Sequence, residues 1–195
     1  MLFRSVELDA ELAAGLARRF AAGNVRVIRA DATQLRWPAE PFKVVANTPF
    51  DRSAAILRRV LDDPSLPLVS AELVVQWELA VKRAAVWPST FAGAYWGAWY
   101  RFALVRRLPP CVFAPEPAVG AGLLRIVRRE EPLVAEREHV AFRSFVKRFA
   151  AGRPPVPPVV FKRLGRDLGF APKAAARELD AAQWASLFCA VRRGG

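Results

Sequence analysis

The sequence predicts an α/β chain: a mostly parallel sheet with crossover helices, followed by a small all-helical part. Strand-like and helix-like segments alternate from Ser5 to Val86, and helical spacing takes over from Pro132 onward. The length of 195 residues, 53% of them hydrophobic, suits one ordinary α/β domain with an appendage rather than two full-sized domains.

Ser5 to Leu8 reads as a short strand, and Ala10 to Phe20 as a helix with Leu12, Leu16 and Phe20 on one face. Gly23-Asn24 stops that helix. Val25 to Ala30 is a second strand ending at Asp31, and after the Trp37 to Pro41 loop Lys43 to Ala46 is a third ending at Asn47. A helix over Ser53 to Leu61 closes at Asp62-Asp63-Pro64, Ala71 to Gln76 is a fourth strand, and Glu78 to Val86 is helical. Strands alternating with helices point to a doubly wound parallel sheet.

The character changes after Trp87. Ala98 to Arg106 and Leu123 to Arg129 read as strands able to pair antiparallel at the sheet's edge, separated by the stiff Pro109 to Pro117 loop. Phe91, Trp96, Trp99, Tyr100 and Phe102 read as core at strand spacing, with an RNA-stacking surface as the alternative. Val140, Phe142, Phe145, Val146 and Phe149 then keep helical spacing, followed by a Pro-rich hinge at Arg153 to Pro158 and helices over Val159 to Gly169 and Ala174 to Arg192. The boundary falls near Glu131, dividing the chain into residues 1–131 and 132–195.

Thirty Lys and Arg face 18 Asp and Glu, a net charge of +12, which suits a polyanionic partner, nucleic acid first. Twenty-five of the basic residues are Arg, a bias that fits phosphate contacts and equally fits a GC-rich coding sequence. Residues 132–195 hold 12 basic and 5 acidic residues, against 18 and 13 in residues 1–131, so the helical part has the denser positive charge. This fits a module docking on RNA or DNA. Arg106-Arg107 and Arg128-Arg129 read as solvated strand ends, and His139, the only histidine, as a surface residue. Cys111 and Cys189 lack metal-ligand spacing, and no apolar run reaches membrane-spanning length. A reduced, soluble, cytoplasmic chain without a metal is expected.

In a parallel sheet the ligand site lies beyond the carboxyl ends of the strands. Glu7 and Asp9, Asp31, and Asn47-Thr48-Pro49-Phe50 stand there. A carboxylate at Glu7 can accept from two ribose hydroxyls, and one at Asp31 from an adenine amino group; both can equally be caps or solvated turns. The Asn47 oxygen and the Thr48 carbonyl, stiffened by Pro49, form two acceptors that can draw an aromatic amine's lone pair out of conjugation. Phe50 adds a stacking face. A simple strand-to-helix turn with an Asn cap is the other reading.

Val6-Glu7-Leu8-Asp9, Asp31-Ala32, Val44 to Phe50 and Val112 to Pro117 resemble, in order and spacing, the S-adenosylmethionine-dependent rRNA adenine N6-methyltransferases. Gly122 to Arg129 before Pro132-Leu133, and Gln183 to Phe188, resemble the erythromycin-resistance (Erm) branch more than the small-subunit KsgA type. The resemblance implies a Rossmann-like class I methyltransferase sheet with a C-terminal all-α RNA-binding domain, and S-adenosyl-L-methionine as cofactor. It implies N6-methylation of an adenine in large-subunit 23S rRNA before full ribosome assembly, by a monomer, conferring macrolide, lincosamide and streptogramin B resistance. Glu7, Leu8, Asp31, Ala32 and Asn47 would bind the cofactor; Asn47, Thr48, Pro49, Phe50 and Phe113 would hold the target base. A 16S rRNA dimethyltransferase, a DNA adenine methyltransferase and a non-catalytic RNA-binding fragment are the alternatives.

One departure stands out. The family's glycine-rich turn should precede Glu7, yet six residues precede it and no glycine occurs before Gly15. The expectation is a reading frame truncated at its 5′ end, lacking the first strand and helix. Leu2-Phe3-Arg4-Ser5 also matches what a common sequencing-adapter end encodes in frame.

Overall fold

Six strands form two separate sheets in the computed structural model, which describes residues 3–87, 90–152, 156–171 and 173–193. β1 (Phe3–Glu7) and β2 (Val25–Arg29) pair in parallel around α1 (Ala10–Arg19). Asp9 caps α1 by accepting from the Glu11 and Leu12 amides at 2.8 and 2.9 Å.

The second sheet has the order β3-β4-β6-β5, built from β3 (Phe42–Asn47), β4 (Leu68–Gln76), β5 (Tyr100–Leu108) and β6 (Ala121–Arg128). β3 and β4 are parallel; β6 pairs antiparallel with both β4 and β5. The expected antiparallel pair is therefore present, with β5 at the outer edge. The expected doubly wound sheet is in two pieces, because β1 and β3 each have one strand partner and no hydrogen-bonded strand joins them among the described residues.

One face of the larger sheet carries Ala71, Leu73, Val75, Leu124 and Ile126, all buried. α2 (Ser53–Leu61) covers it through Leu57, Val60 and Leu61, while α3 (Trp77–Ala84) presses Ala80 onto Gly122 of β6. A Cβ at Gly122 would lie 2.6 Å from the Ala80 Cβ, so only glycine allows this approach. The opposite face is open: Val45 is 83% exposed and Val127 42%, and the Arg125–Glu72 pair at 2.8 Å lies on it.

α4 (Phe91–Trp96) corrects the reading of its aromatics as strand residues. Thr90 caps it by accepting from the Gly93 amide at 3.0 Å, and the chain turns at Gly97 before β5 begins. Phe91 and Phe102 are half-buried against the core, and Tyr95, Trp96, Trp99 and Tyr100 lie within it, as expected for all but Tyr95, which the sequence reading does not name. They meet α5 (His139–Ala150), α6 (Pro158–Leu168) and α7 (Ala181–Arg193) through a run of ring contacts: Tyr95 and Trp99 on Phe142, Phe142 on Phe188, Phe149 on Trp184 and Phe161. Of the expected hinge, Arg153 to Pro155 lie outside the described residues. α7 starts later than the spacing suggests, since a 3-10 turn at Ala176–Glu178 and an Asp180–Gln183 exchange of side-chain bonds precede it.

Asp62, at the end of α2, joins the two parts. Its carboxylate accepts from Trp96 Nε1 at 2.8 Å and pairs with Arg143 at 3.2 Å, and its carbonyl accepts from the Tyr95 hydroxyl at 2.9 Å. Arg128 and Arg129 are likewise structural rather than solvated strand ends. Arg128 donates to the Pro64 and Leu66 carbonyls at 2.7 and 3.0 Å and pairs with Glu136, while Arg129 donates to the Gly97 carbonyl at 2.9 Å. His139 is half-buried at the start of α5, its Nδ1 2.9 Å from the Glu136 carbonyl.

Candidate active site

Beyond the carboxyl end of β3 lies a cavity of about 360 Å³, lined by Asn47, Thr48 and Phe50 on one side and residues of the Val112 to Pro117 loop on the other. The two stretches, more than sixty residues apart in sequence, face each other across it. The Phe50 and Phe113 rings approach edge to face, centroids 6.4 Å apart at 77°. The Ala114–Pro115 peptide in this wall is cis.

Asn47 and Thr48 are held differently. Thr48 is 3% exposed, its amide donates to the Val74 carbonyl at 3.1 Å and its hydroxyl to the same oxygen at 2.8 Å. The Ser53 hydroxyl, fully buried, sits 2.7 Å from Thr48 Oγ1 and 3.0 Å from the Pro49 carbonyl. The Thr48 side chain is thus spent on fixing the loop, whereas its carbonyl and the exposed Asn47 amide have no hydrogen-bond partner among the described residues. Two open acceptors, the Thr48 carbonyl fixed by its loop, beside two aromatic rings suit a planar group bearing an amino function. Ser53 was not legible as part of the site; its place five residues after Thr48, opening α2, was the available signal.

Glu7 and Asp31 come together at the same end of the smaller sheet, where the Ala30 amide donates to the Glu7 carbonyl at 3.0 Å. Glu7 Oε1 accepts from the Asp9 amide at 2.9 Å. Asp31 Oδ1 accepts from the Thr33 hydroxyl and amide, both at 2.7 Å. Those bonds, the hydroxyl first, hold the Asp31 carboxyl below its ordinary range, and the positive charge of Arg52 from the β3 side adds to this. Each carboxylate keeps its second oxygen without a partner among the described residues, as a ligand's hydroxyl or amino group requires. Leu8 is 64% exposed and Ala32 packs against the core.

Trp37, read from the sequence only as a loop residue, fastens the β2–β3 connection to β3 and α2. It stacks on Phe42 with centroids 5.4 Å apart at 7°, and its Nε1 donates to the Arg59 carbonyl at 3.1 Å. Arg59 returns a bond to the Leu35 carbonyl at 2.8 Å.

Among the described residues no helix is long and apolar enough to cross a membrane. The ribosomal RNA adenine dimethylase family matches residues 3–154. An rRNA adenine N-6-methyltransferase of Corynebacterium diphtheriae is 36% identical over 165 residues, 85% of this chain and 60% of that protein. The mycinamicin-resistance protein MyrB of Micromonospora griseorubida is 34% identical over 98% of this chain and 63% of its own length. The chain thus spans about three fifths of these relatives. The crystal structure of the 23S rRNA methyltransferase ErmE superposes with a TM-score of 0.83 at 24% identity, over 98% of this chain and 82% of that one. The α/β architecture is that of this neighbour, and the chain belongs to the ribosomal RNA adenine dimethylase family.

Proposed function

We propose that this site serves S-adenosylmethionine-dependent N6-methylation of an adenine in 23S rRNA, the Erm-type reaction that confers macrolide, lincosamide and streptogramin B resistance. The observation that carries the reading is the pair of unengaged acceptors, Asn47 and the Thr48 carbonyl, set in a cavity walled by Phe50 and Phe113. The names of the Corynebacterium and Micromonospora relatives and of the ErmE neighbour support it.

In this reading the target adenine leaves its stack and enters the cavity walled by Phe50 and Phe113, whose rings offer it stacking surface. Stacking at about 1–3 kcal/mol per base offsets an extrusion cost of similar size. Asn47 Oδ1 and the Thr48 carbonyl each accept one N–H of the amino group, which pyramidalises the nitrogen and turns its lone pair out of the ring. Both then face the positive charge that grows on nitrogen as it forms its new bond, a stabilisation that needs no rearrangement because Ser53 and Val74 already hold the loop. Bound S-adenosylmethionine supplies an electrophilic methyl group. Glu7 receives its ribose hydroxyls and Asp31 its adenine amino group, each through its unpartnered carboxylate oxygen, while Leu8 and Ala32 flank the adenosine. Residues 132–195 form the RNA-binding unit: Lys147, Arg148, Lys162, Arg163 and Arg166 are exposed on α5 and α6 and suit phosphate contacts whose strength falls with salt.

A second reading, an RNA-binding chain without turnover, is favoured by one observation: of residues 3–47 only Ala13 is buried, so the cofactor half of the site has almost no core of its own. The test is to incubate the chain with S-adenosylmethionine and 23S or 16S transcripts and to measure N6-methyladenosine by mass spectrometry beside RNA affinity. Transfer to 23S, lost at least about 100-fold in Asn47→Ala with RNA affinity unchanged, is the expected result. Transfer to 16S alone overturns the Erm assignment, and RNA binding without transfer establishes the second reading.

A further inference from the structure

We propose that Trp77 and Arg107 form a phosphate seat for the RNA strand flanking the extruded adenine, an inference that rests on the reading of this chain as an RNA methyltransferase. A bulge in β5 is the reason Arg107 points as it does. Phe102 and Leu104 pair with Ile126 and Leu124 on the covered face of the larger sheet, so strict alternation would send Arg106 there next. The register shifts between Leu104 and Arg106, leaving Val105 as an extra residue. Beyond it Arg106 pairs with Leu123 and turns to the open face, while Arg107 pairs with Gly122 and turns toward α3. The Arg107 guanidinium carbon lies 5.0 Å from the centroid of the Trp77 ring, and the ring edge packs on Gly122, where an added Cβ would meet Trp77 Cε3 at 3.4 Å.

Arg59, Arg128 and Arg129 use their donors on carbonyls, and Arg125 and Arg143 use theirs on carboxylates. Arg107 makes no hydrogen bond or ion pair among the described residues, yet the indole holds its guanidinium and the residue is exposed. A guanidinium laid on a ring with its N–H fork unspent suits a phosphate, which accepts two parallel hydrogen bonds. The seat shares the end of the sheet that bears the cavity. Trp77 opens α3 directly after β4, three residues past Val74, whose carbonyl holds the Thr48 amide and hydroxyl. Leu108 ends β5, and the cavity wall begins four residues later at Val112. That wall, Val112 to Pro117, contains no Lys or Arg, and Arg107 is the cation nearest to it in sequence. β5 stands three strands from β3 in the sheet order, about 14 Å, a span that a strand of RNA covers in a few nucleotides.

The test measures the affinity of the 195-residue chain for a 23S transcript across a KCl series, together with steady-state methyl transfer to it. Arg107→Ala should raise the dissociation constant at least about threefold and flatten the slope of log affinity against log salt by about 0.7–0.9, the loss of one phosphate contact. KM for RNA should rise with it and kcat stay as in the parent, since the seat lies apart from the reacting atoms. Arg106→Ala removes the same charge one residue away on the opposite face and should bind like the parent. Arg107→Lys keeps the charge but not the planar fork and should fall between parent and Arg107→Ala. Trp77→Leu frees the guanidinium and should weaken binding about twofold or more; should it unfold, Trp77→Phe, which keeps a ring, should bind like the parent. Arg107→Ala as tight as the parent, Arg106→Ala matching it in slope, a fall in kcat with KM unchanged, or a folded Trp77→Leu as tight as the parent would each overturn the seat. RNA binding without transfer in the parent, with its dependence on Arg107 intact, would support the seat and overturn the methyltransferase reading alone.

Discussion

Asp62 is the most connected carboxylate between the sheet and the terminal helices, and its removal should loosen both. In Asp62→Ala the Trp96 indole N–H, on a side chain only 4% exposed, loses its charged acceptor at 2.8 Å. A hydrogen bond to a charged group contributes about 1.5–3 kcal/mol, and an orphaned donor in this setting costs in the same range. The Arg143 pair is worth less: its side chains are 47% and 29% exposed, and such pairs contribute about 1 kcal/mol or below. The Tyr95 hydroxyl keeps its bond, because that acceptor is the Asp62 backbone carbonyl. The expected loss is about 2–4 kcal/mol. Asp62→Asn, which keeps a neutral acceptor for Trp96, should lose about half as much, and Arg143→Ala about 1 kcal/mol at most. Urea unfolding followed by tryptophan fluorescence measures all three. An Asp62→Ala variant within about 0.5 kcal/mol of the parent, or one no weaker than Arg143→Ala, would refute the assignment of the Trp96 bond as the main tie.

Two further outcomes follow from the packing. Burial pushes the Tyr95 hydroxyl up to about 12 and that of Tyr100 upward as well. The unfolded chain gives up these protons near pH 10, so the stability they contribute is complete below that value and declines as pH rises toward 12. Absorbance titration of the folded protein should show less phenolate between pH 10 and 11 than two free tyrosines give; ionisation of both tyrosines as free phenols would contradict the burial. At Gly122 a methyl group would sit 2.6 Å from the Ala80 Cβ and 3.1 Å from Leu104 Cδ1, so Gly122→Ala should cost about 1–3 kcal/mol in thermal or urea unfolding. Combining it with Ala80→Gly should recover part of that loss after about 1 kcal/mol for glycine in a helix; strictly additive losses would place the strain elsewhere.

Much of the fold was legible because periodicity and punctuation agree along the chain. α2 has the bounds the sequence predicts, Ser53 to Leu61, and each of the six strands is found within three residues of its expected start. α4 was not legible, because Phe91 and Trp96 group with the strand aromatics Tyr100 and Phe102, which do lie in β5, and only Thr90 and Gly97 mark the helix ends. At the site, Asn47 to Phe50 stood out for its chemistry and Val112 to Pro117 only through the family resemblance. Their meeting across one cavity could not be read locally, since it depends on how β4, β5 and β6 order themselves.

The sequence by itself determined the elements, the family resemblance and the residues with chemistry to offer, since these rest on side-chain identity and local backbone preference. Only the tertiary structure decided which groups are spent and which are available. Thr48 and Ser53 use their hydroxyls on each other and on backbone, Arg128 and Arg129 serve carbonyls rather than solvent, and Asn47 stays unengaged. It also decided that the sheet stands in two pieces, because strand pairing is a contest among distant edges and β1 and β3 each have a single strand partner.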